Sequence, residues 1–114
     1  MHRFDAVWEV SVEDAKPLID EVSAVFLLDV RHPEEFDTAR IEGAFLCPLP
    51  EIPERIEEIR QAAEGRSIVA YCHHGHRSVQ AVAFLREAGL GAARSMSGGI
   101  DAWSRRIDPN IPRY

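Results

Sequence analysis

Cysteine is scarce in this 114-residue chain, which holds two, Cys47 and Cys72, 25 positions apart. That is neither the framework of a disulfide-stapled domain nor the paired Cys-x-x-Cys halves of a zinc site. Long apolar runs are missing too. The longest, such as Ala24 to Leu28, are five residues, against the roughly 20 that a bilayer-spanning helix needs. Asp5 and Glu9 interrupt any apolar stretch near the start, so no signal peptide is visible and a cytoplasmic protein with no membrane partner is expected. An excess of positive charge is also absent. The balance of 13 Lys+Arg against 19 Asp+Glu gives a formal charge of −6 and argues against nucleic acid as a partner. No internal repeat, linker or low-complexity segment breaks the chain.

What remains is the composition of an ordinary globular domain, 46% hydrophobic and 28% charged. The length suits one domain over 1–114 with one core that needs no disulfide. Short β-branched and aromatic runs alternate with segments of helical period. Trp8-Glu9-Val10 reads as a strand, and Ser11 as the cap of a helix with Leu18, Ile19 and Val22 on its apolar face. Val25 to Val30 is apolar on both faces until Asp29, as suits a covered central strand. Pro33 to Phe36 reads as a helical turn with Pro at its first position, and Phe45-Leu46-Cys47 as a short strand. An amphipathic helix is expected from Pro53 to Glu64, stopped by Gly65. A buried strand comes next at Ser67–Tyr71, then a polar loop, Cys72 to Arg77, and a helix from Ser78 to Ala88 that is apolar round most of its circumference. A last strand near Ala93–Met96 meets Gly98-Gly99 and a short helix carrying Trp103. Strands alternating with helices imply an α/β fold with a mostly parallel central sheet and helices on both faces. The tail, 108–114, is expected to be loosely held.

In such sheets ligands sit beyond the carboxyl ends of the strands. Cys72 stands there, after a buried strand and before a helix start, where backbone N–H groups lack partners and the dipole favours an anion. Arg77 adds a positive charge, and Gly75 can take the backbone angles of a tight cradle. A free thiol is about 3% ionised at pH 7, and about 2.7 kcal/mol of differential stabilisation makes most of it thiolate. Cys72 is therefore the candidate nucleophile. His73, His74, Gly75, His76, Arg77 and Ser78 are the candidate substrate-binding residues. Phosphatase-type loops run Cys-x5-Arg, whereas four residues separate Cys72 from Arg77 here. In an idealised ring, one residue fewer at about 3.5 Å of chain shrinks the radius by about 0.5 Å, which disfavours a tetrahedral phosphate and suits one terminal sulfur.

Three motifs in order carry a resemblance over nearly the whole chain. They are Leu28-Asp29-Val30-Arg31-His32-Pro33-Glu34-Glu35-Phe36 with Ile41-Glu42-Gly43-Ala44, the loop Cys72 to Arg77, and Ser97-Gly98-Gly99-Ile100-Asp101-Ala102-Trp103. Together they resemble the single-domain rhodaneses, a family of sulfurtransferases with the rhodanese-like α/β fold. The resemblance implies that Cys72 takes a sulfane sulfur from a donor such as thiosulfate, becomes a persulfide, and passes the sulfur to cyanide or a thiol. That exchange needs no cofactor, and its partners are small sulfur donors and acceptors or a thiol-carrying protein. The family often has Gly-His where Ala39-Arg40 precede Ile41 here. The three loop histidines, partly protonated near neutral pH, would make the pocket cationic.

Plainer readings stand beside these. Cys47 reads as core, with a resolving-cysteine role as its alternative. The loop is read as metal-free, because Cys72 and His76 would need ligands from elsewhere such as His32 to complete a tetrahedral site. For Asp29 the alternatives are orienting Arg77 or the loop backbone, and an internal ion pair that shapes the turn. Arg31 either attracts anionic donors or belongs to that pair. Gly98-Gly99 reads as a tight turn, and Trp103 and Trp8 as core. A non-catalytic binding module, and a Cys-dependent phosphatase or arsenate-type enzyme, are the competing functions. The sulfurtransferase reading requires amides that point inward and a sulfur reachable from outside.

Overall fold

The computed structural model describes residues 8–21 and 24–114. Its strands are β1 (Glu9–Val10), β2 (Val25–Asp29), β3 (Phe45–Leu46), β4 (Ser67–Tyr71) and β5 (Arg94–Met96). They form one sheet in the order β1-β5-β4-β2-β3, and every pairing is parallel. The helices are α1 (Val12–Asp20), α2 (Pro33–Thr38), α3 (Ile56–Ala63), α4 (His76–Glu87) and α5 (Gly99–Arg106). A parallel sheet needs a crossover after each strand, and those crossovers cover both faces.

Strand periodicity sorts the core into two halves. Phe26 and Leu28 of β2 and Ile68 and Ala70 of β4 face one side, packed with Ile59, Ala81, Val82 and Leu85 from α3 and α4. Val25, Leu27, Val69 and Tyr71 face the other, packed with Val12 and Ala15 of α1 and Ile100 and Trp103 of α5. Each fully buried large aliphatic side chain contributes about 1.5–3 kcal/mol. The same alternation puts Cys72 on the α4 side, with Ile68 and Ala70.

Ser11 caps α1 as expected, its hydroxyl accepting from Asp14 N at 3.0 Å. Val12 and Ala15 are the buried residues of α1, while Leu18 and Ile19 are half-buried; Val22 lies outside the described residues. Three expectations are corrected. The stretch expected as one helix from Pro53 is a 3-10 segment, Leu49–Arg55, followed by α3, because Pro50 and Pro53 withhold the N–H groups an α-helix would use. The left-handed turn that ends α3 falls first on Glu64 (φ 53°) and then on Gly65. Helix α4 begins at His76 rather than Ser78 and buries one stripe, Ser78, Ala81, Val82 and Leu85, leaving Phe84 exposed.

Candidate active site

Cys72 comes directly after the last residue of β4. Its carbonyl accepts from Ile100 N at 2.8 Å, and the His73 carbonyl accepts from Asp101 N at 3.1 Å. The loop therefore caps the first turn of α5, whose N–H groups have no partners within that helix. In a planar trans peptide the N–H points opposite to the C=O, so the amides of His73 and His74 point away from α5. Two further amides reach the sulfur. Gly75 N–H and Ser78 N–H donate to Cys72 Sγ at 3.1 and 3.3 Å, and Ser78 Oγ lies 3.4 Å away. Gly75 takes φ 112° to make this turn, and a Cβ there would stand 3.3 Å from Gly98 N.

Gly98 and Gly99 are more than a turn. A Cβ on Gly99 would lie 2.4 Å from Cys72 O and 2.5 Å from His73 O, so the loop rests directly on this backbone. Cys72 itself is 1% exposed. Its sulfur is thus nearly closed to solvent, short of the reachable sulfur expected from sequence, and a molecule that reacts with it needs its neighbours to shift.

Arg77 is not a free cation. Its guanidinium donates twice to Glu35, Nη1 to Oε1 at 2.7 Å and Nη2 to Oε2 at 2.9 Å. That pairing, working against partial burial, holds the Glu35 carboxyl down at about 2. Glu35 sits in the first turn of α2, where it also accepts from His32 N and from the Tyr114 hydroxyl. The signal for Glu35 was present in the early motif, where a carboxylate stands three residues past a helix-capping position.

Asp29 and Arg31 are a buried pair. Arg31 donates through Nε and Nη2 to the two Asp29 carboxylate oxygens at 2.9 and 2.7 Å, and through its remaining N–H groups to Ala39 O and Tyr114 Oη. Both are fully buried, so Arg31 offers no charge to an incoming anion, which corrects the reading of it as a donor-attracting group. Asp29 stands opposite Tyr71 in register, on the sheet face away from Cys72, so it shapes the turn after β2 and does not orient Arg77. Arg40 is exposed, stacked 4.6 Å over the Phe36 ring.

The histidines diverge. The His73 ring is stacked between His74 and Tyr114, each at 4.0 Å, and burial followed by the His74 charge lowers its pKa. His73 is thereby shifted toward its neutral form, against the expectation that all three loop histidines add positive charge. Its Nε2 is buried with no hydrogen-bond partner among the described residues. His74 and His76 face solvent. Among the described residues, His73, His74 and Asp101 present metal-ligating atoms within 4.8 Å of one another, a different group from the Cys72, His76 and His32 considered from sequence. Arg105 and Arg113 already occupy the Asp101 carboxylate at 3.1 and 3.0 Å and compete with any cation there.

The tail, expected to be loosely held, is tied at several points. Ile111 O accepts from Ser104, Arg113 bonds Asp101, and Tyr114 bridges Arg31, Glu35 and His73. Cys47 is fully buried, and burial pushes its thiol up, as suits a core residue. Trp103 is core, and Trp8 is half-buried under Arg86. Among the described residues no helix is long and apolar enough to cross a membrane.

A family model described as Rhodanese-like domain matches residues 11–106. A sulfurtransferase of Allochromatium vinosum is 36% identical over 103 residues, covering 90% of this chain and 94% of that protein. The adenylyltransferase and sulfurtransferase MOCS3-1 of Zea mays is 34% identical over 109 residues, or 92% of this chain. The chain spans only 23% of that longer protein. In structure, the human single-domain sulfurtransferase TSTD1 superposes with a TM-score of 0.73 at 25% identity, over 86% of this chain and 96% of that one.

Proposed function

The chain belongs to the rhodanese-like domain family, and from that premise we propose that it is a sulfurtransferase whose sulfur travels on Cys72. The observation that carries the reading is the convergence of Gly75 N–H, Ser78 N–H and the Ser78 hydroxyl on one sulfur at the head of α4. Two backbone donors, with a hydroxyl beside them that can also donate, suit a sulfur that acts as a base and nucleophile. The Cys72 thiolate attacks the sulfane sulfur of a donor such as thiosulfate. The new S–S bond forms as the donor's own S–S bond breaks, and sulfite leaves with the electron pair. A thiophilic acceptor, cyanide or a thiolate, then attacks the outer sulfur, and the pair from that bond returns to Cys72 as thiolate. Both displacements are balanced without cofactor or external oxidant.

The loop's own groups supply the stabilisation. The N–H groups of His76 and Arg77 stand at the first two positions of α4, where no helical acceptor exists, and serve the charge that develops on the transferred sulfur. Arg77, held by Glu35, braces the loop against α2.

The test is incubation with thiosulfate and cyanide, then thiocyanate assay and intact mass. Thiocyanate should form and Cys72 should gain about 32 Da, the mass of the one sulfur added in this covalent chemistry. Cys72→Ser should abolish both, while Cys47→Ser should leave turnover largely intact. No uptake from thiosulfate or from persulfide donors would favour a binding module. Hydrolysis of an aryl phosphate lost in Cys72→Ser would favour a phosphatase.

A further inference from the structure

One hydrogen bond beyond Ser78 from the sulfur lies a second hydroxyl that no motif marks. Ser95 is fully buried in the middle of β5, opposite Ala70 in register. That places it on the same sheet face as Cys72, one strand away. Its Oγ is 2.7 Å from Ser78 Oγ, which in turn lies 3.4 Å from Cys72 Sγ and 3.3 Å from Gly75 O.

We propose that Ser95 is a positioning residue that directs the Ser78 hydroxyl onto the sulfur of Cys72. The inference rests on Cys72 being the sulfur carrier and adds a residue that acts through another.

Counting protons gives the direction of the chain. Each hydroxyl has one proton to donate. The hydrogen bond that Ser95 Oγ makes among the described residues is to Ser78 Oγ. If Ser78 donated to Ser95, the Ser95 proton would be left in a fully buried site with no acceptor, an arrangement that native interiors avoid. Ser95 therefore donates to Ser78. The Ser78 proton is then free for Cys72 Sγ or for Gly75 O, the two acceptors on its other side. A hydroxyl that accepts one hydrogen bond is a stronger donor in the next, so the Ser95 contact also strengthens the bond to sulfur.

The two acceptors matter during the reaction. While Sγ carries the negative charge, it is the stronger acceptor and takes the Ser78 proton. Once the extra sulfur is bound, the charge sits on the outer atom and Sγ weakens, so the proton can turn to Gly75 O. Ser95 keeps its bond to Ser78 in both states and so holds Ser78 Oγ in place while its proton changes partner.

A double-mutant cycle in the full chain tests this, with Ser95→Ala, Ser78→Ala and the double variant, each checked for folding by denaturant titration. The readouts are single-turnover sulfur uptake from thiosulfate and the pH dependence of Cys72 alkylation by iodoacetamide. Ser95→Ala should slow uptake at pH 7 by about 3–10-fold, the size of one lost hydrogen bond, and move the alkylation profile to higher pH without changing KM. In the Ser78→Ala background the same change should cost less than about 2-fold, because its route to the sulfur is gone. Ser95→Thr, which keeps the hydroxyl, should restore most of the rate. Equal losses in both backgrounds would mean that Ser95 only packs, and wild-type behaviour of Ser95→Ala would mean that it does nothing; either overturns the proposal. A wild-type chain that takes up no sulfur would instead sink the sulfurtransferase reading, whereas the alkylation profiles would still read the hydroxyl chain.

Discussion

Gly99→Ala should be the most damaging methyl addition in the molecule. The residue has φ +62°, a left-handed conformation that costs a residue with a Cβ about 1–2 kcal/mol. The new Cβ would also stand 2.4 Å from Cys72 O, 2.5 Å from His73 O and 2.6 Å from His73 C, where ordinary contact begins near 3.4 Å. These are backbone atoms and cannot rotate away, so the loop must retreat by about 1 Å. That retreat stretches Ile100 N–H to Cys72 O and Asp101 N–H to His73 O, worth about 1 kcal/mol each. The expected loss is about 3–4 kcal/mol, a large share of the stability of a domain this size and a fall in Tm of more than about 12 °C. Cys72 moves with the loop, and a misplacement of about 1 Å can cost about 100-fold in sulfur uptake.

Gly43→Ala is the matched control. Gly43 has a similar positive φ, +87°, but a Cβ there meets nothing within 4 Å. It should show the backbone strain alone, with unaltered sulfur uptake. Urea unfolding of both variants and single-turnover uptake of the folded fraction measure the difference. If Gly99→Ala proved as mild as Gly43→Ala, and Cys72 as reactive as before, the loop would not be seated on Gly99.

The buried Asp29–Arg31 pair gives a different pattern. Asp29→Asn leaves the Arg31 charge uncompensated and should cost about 3–5 kcal/mol in denaturant unfolding, while sulfur uptake per folded molecule stays near wild type because Asp29 faces away from the sulfur. Uptake that collapsed along with stability would restore the orienting role. The Glu35–Arg77 pair should appear as acid sensitivity. Its carboxyl lies at about 2 when folded, below an ordinary value of 4.5. The pair's contribution is therefore present in full above about pH 4.5 and is lost as the pH falls toward 2. Wild-type stability should fall through that window by about 1–2 kcal/mol more than that of Glu35→Gln, after allowance for solvent screening. Parallel curves for the two proteins would count against it.

The strands, α1 and the seat of Cys72 were legible because they rest on local signals: periodicity, a capping serine, and a cysteine between a buried strand and a helix start. The residues around Cys72 were not, because sheet order and long-range packing bring them there. Glu35 is 42 positions from Arg77, and Tyr114 is 83 from Arg31. Ser95 reaches Ser78 only through the β4–β5 register, which no spacing encodes. Asp29 stood between two readings for a related reason, and the internal ion pair is the one that holds. Its nearness to the loop edge was readable, but which face it took depended on counting the pleat from β2 across to Tyr71, and that parity puts it with the other core half.

The sheet order also divides the labour around the loop. Strand β4 is central, so the loop at its carboxyl end is flanked by the segment after β5 on one side and the segment after β2 on the other. On the β5 side, α5 receives the Cys72 and His73 carbonyls. Because a peptide's N–H opposes its C=O, the contacts that satisfy the head of α5 also turn the first loop amides away from that helix. The same hydrogen bonds thus hold the fold and seat Cys72, and substitutions at Gly99 should move stability and Cys72 reactivity together. On the β2 side, Asp29 and Arg31 pair with each other, and among the described residues Glu35 bonds the loop through the Arg77 side chain. There stability can fall while the cradle keeps its shape. The loop is thus seated between two helices that hold it by different means, backbone hydrogen bonds to α5 and a side-chain ion pair to α2.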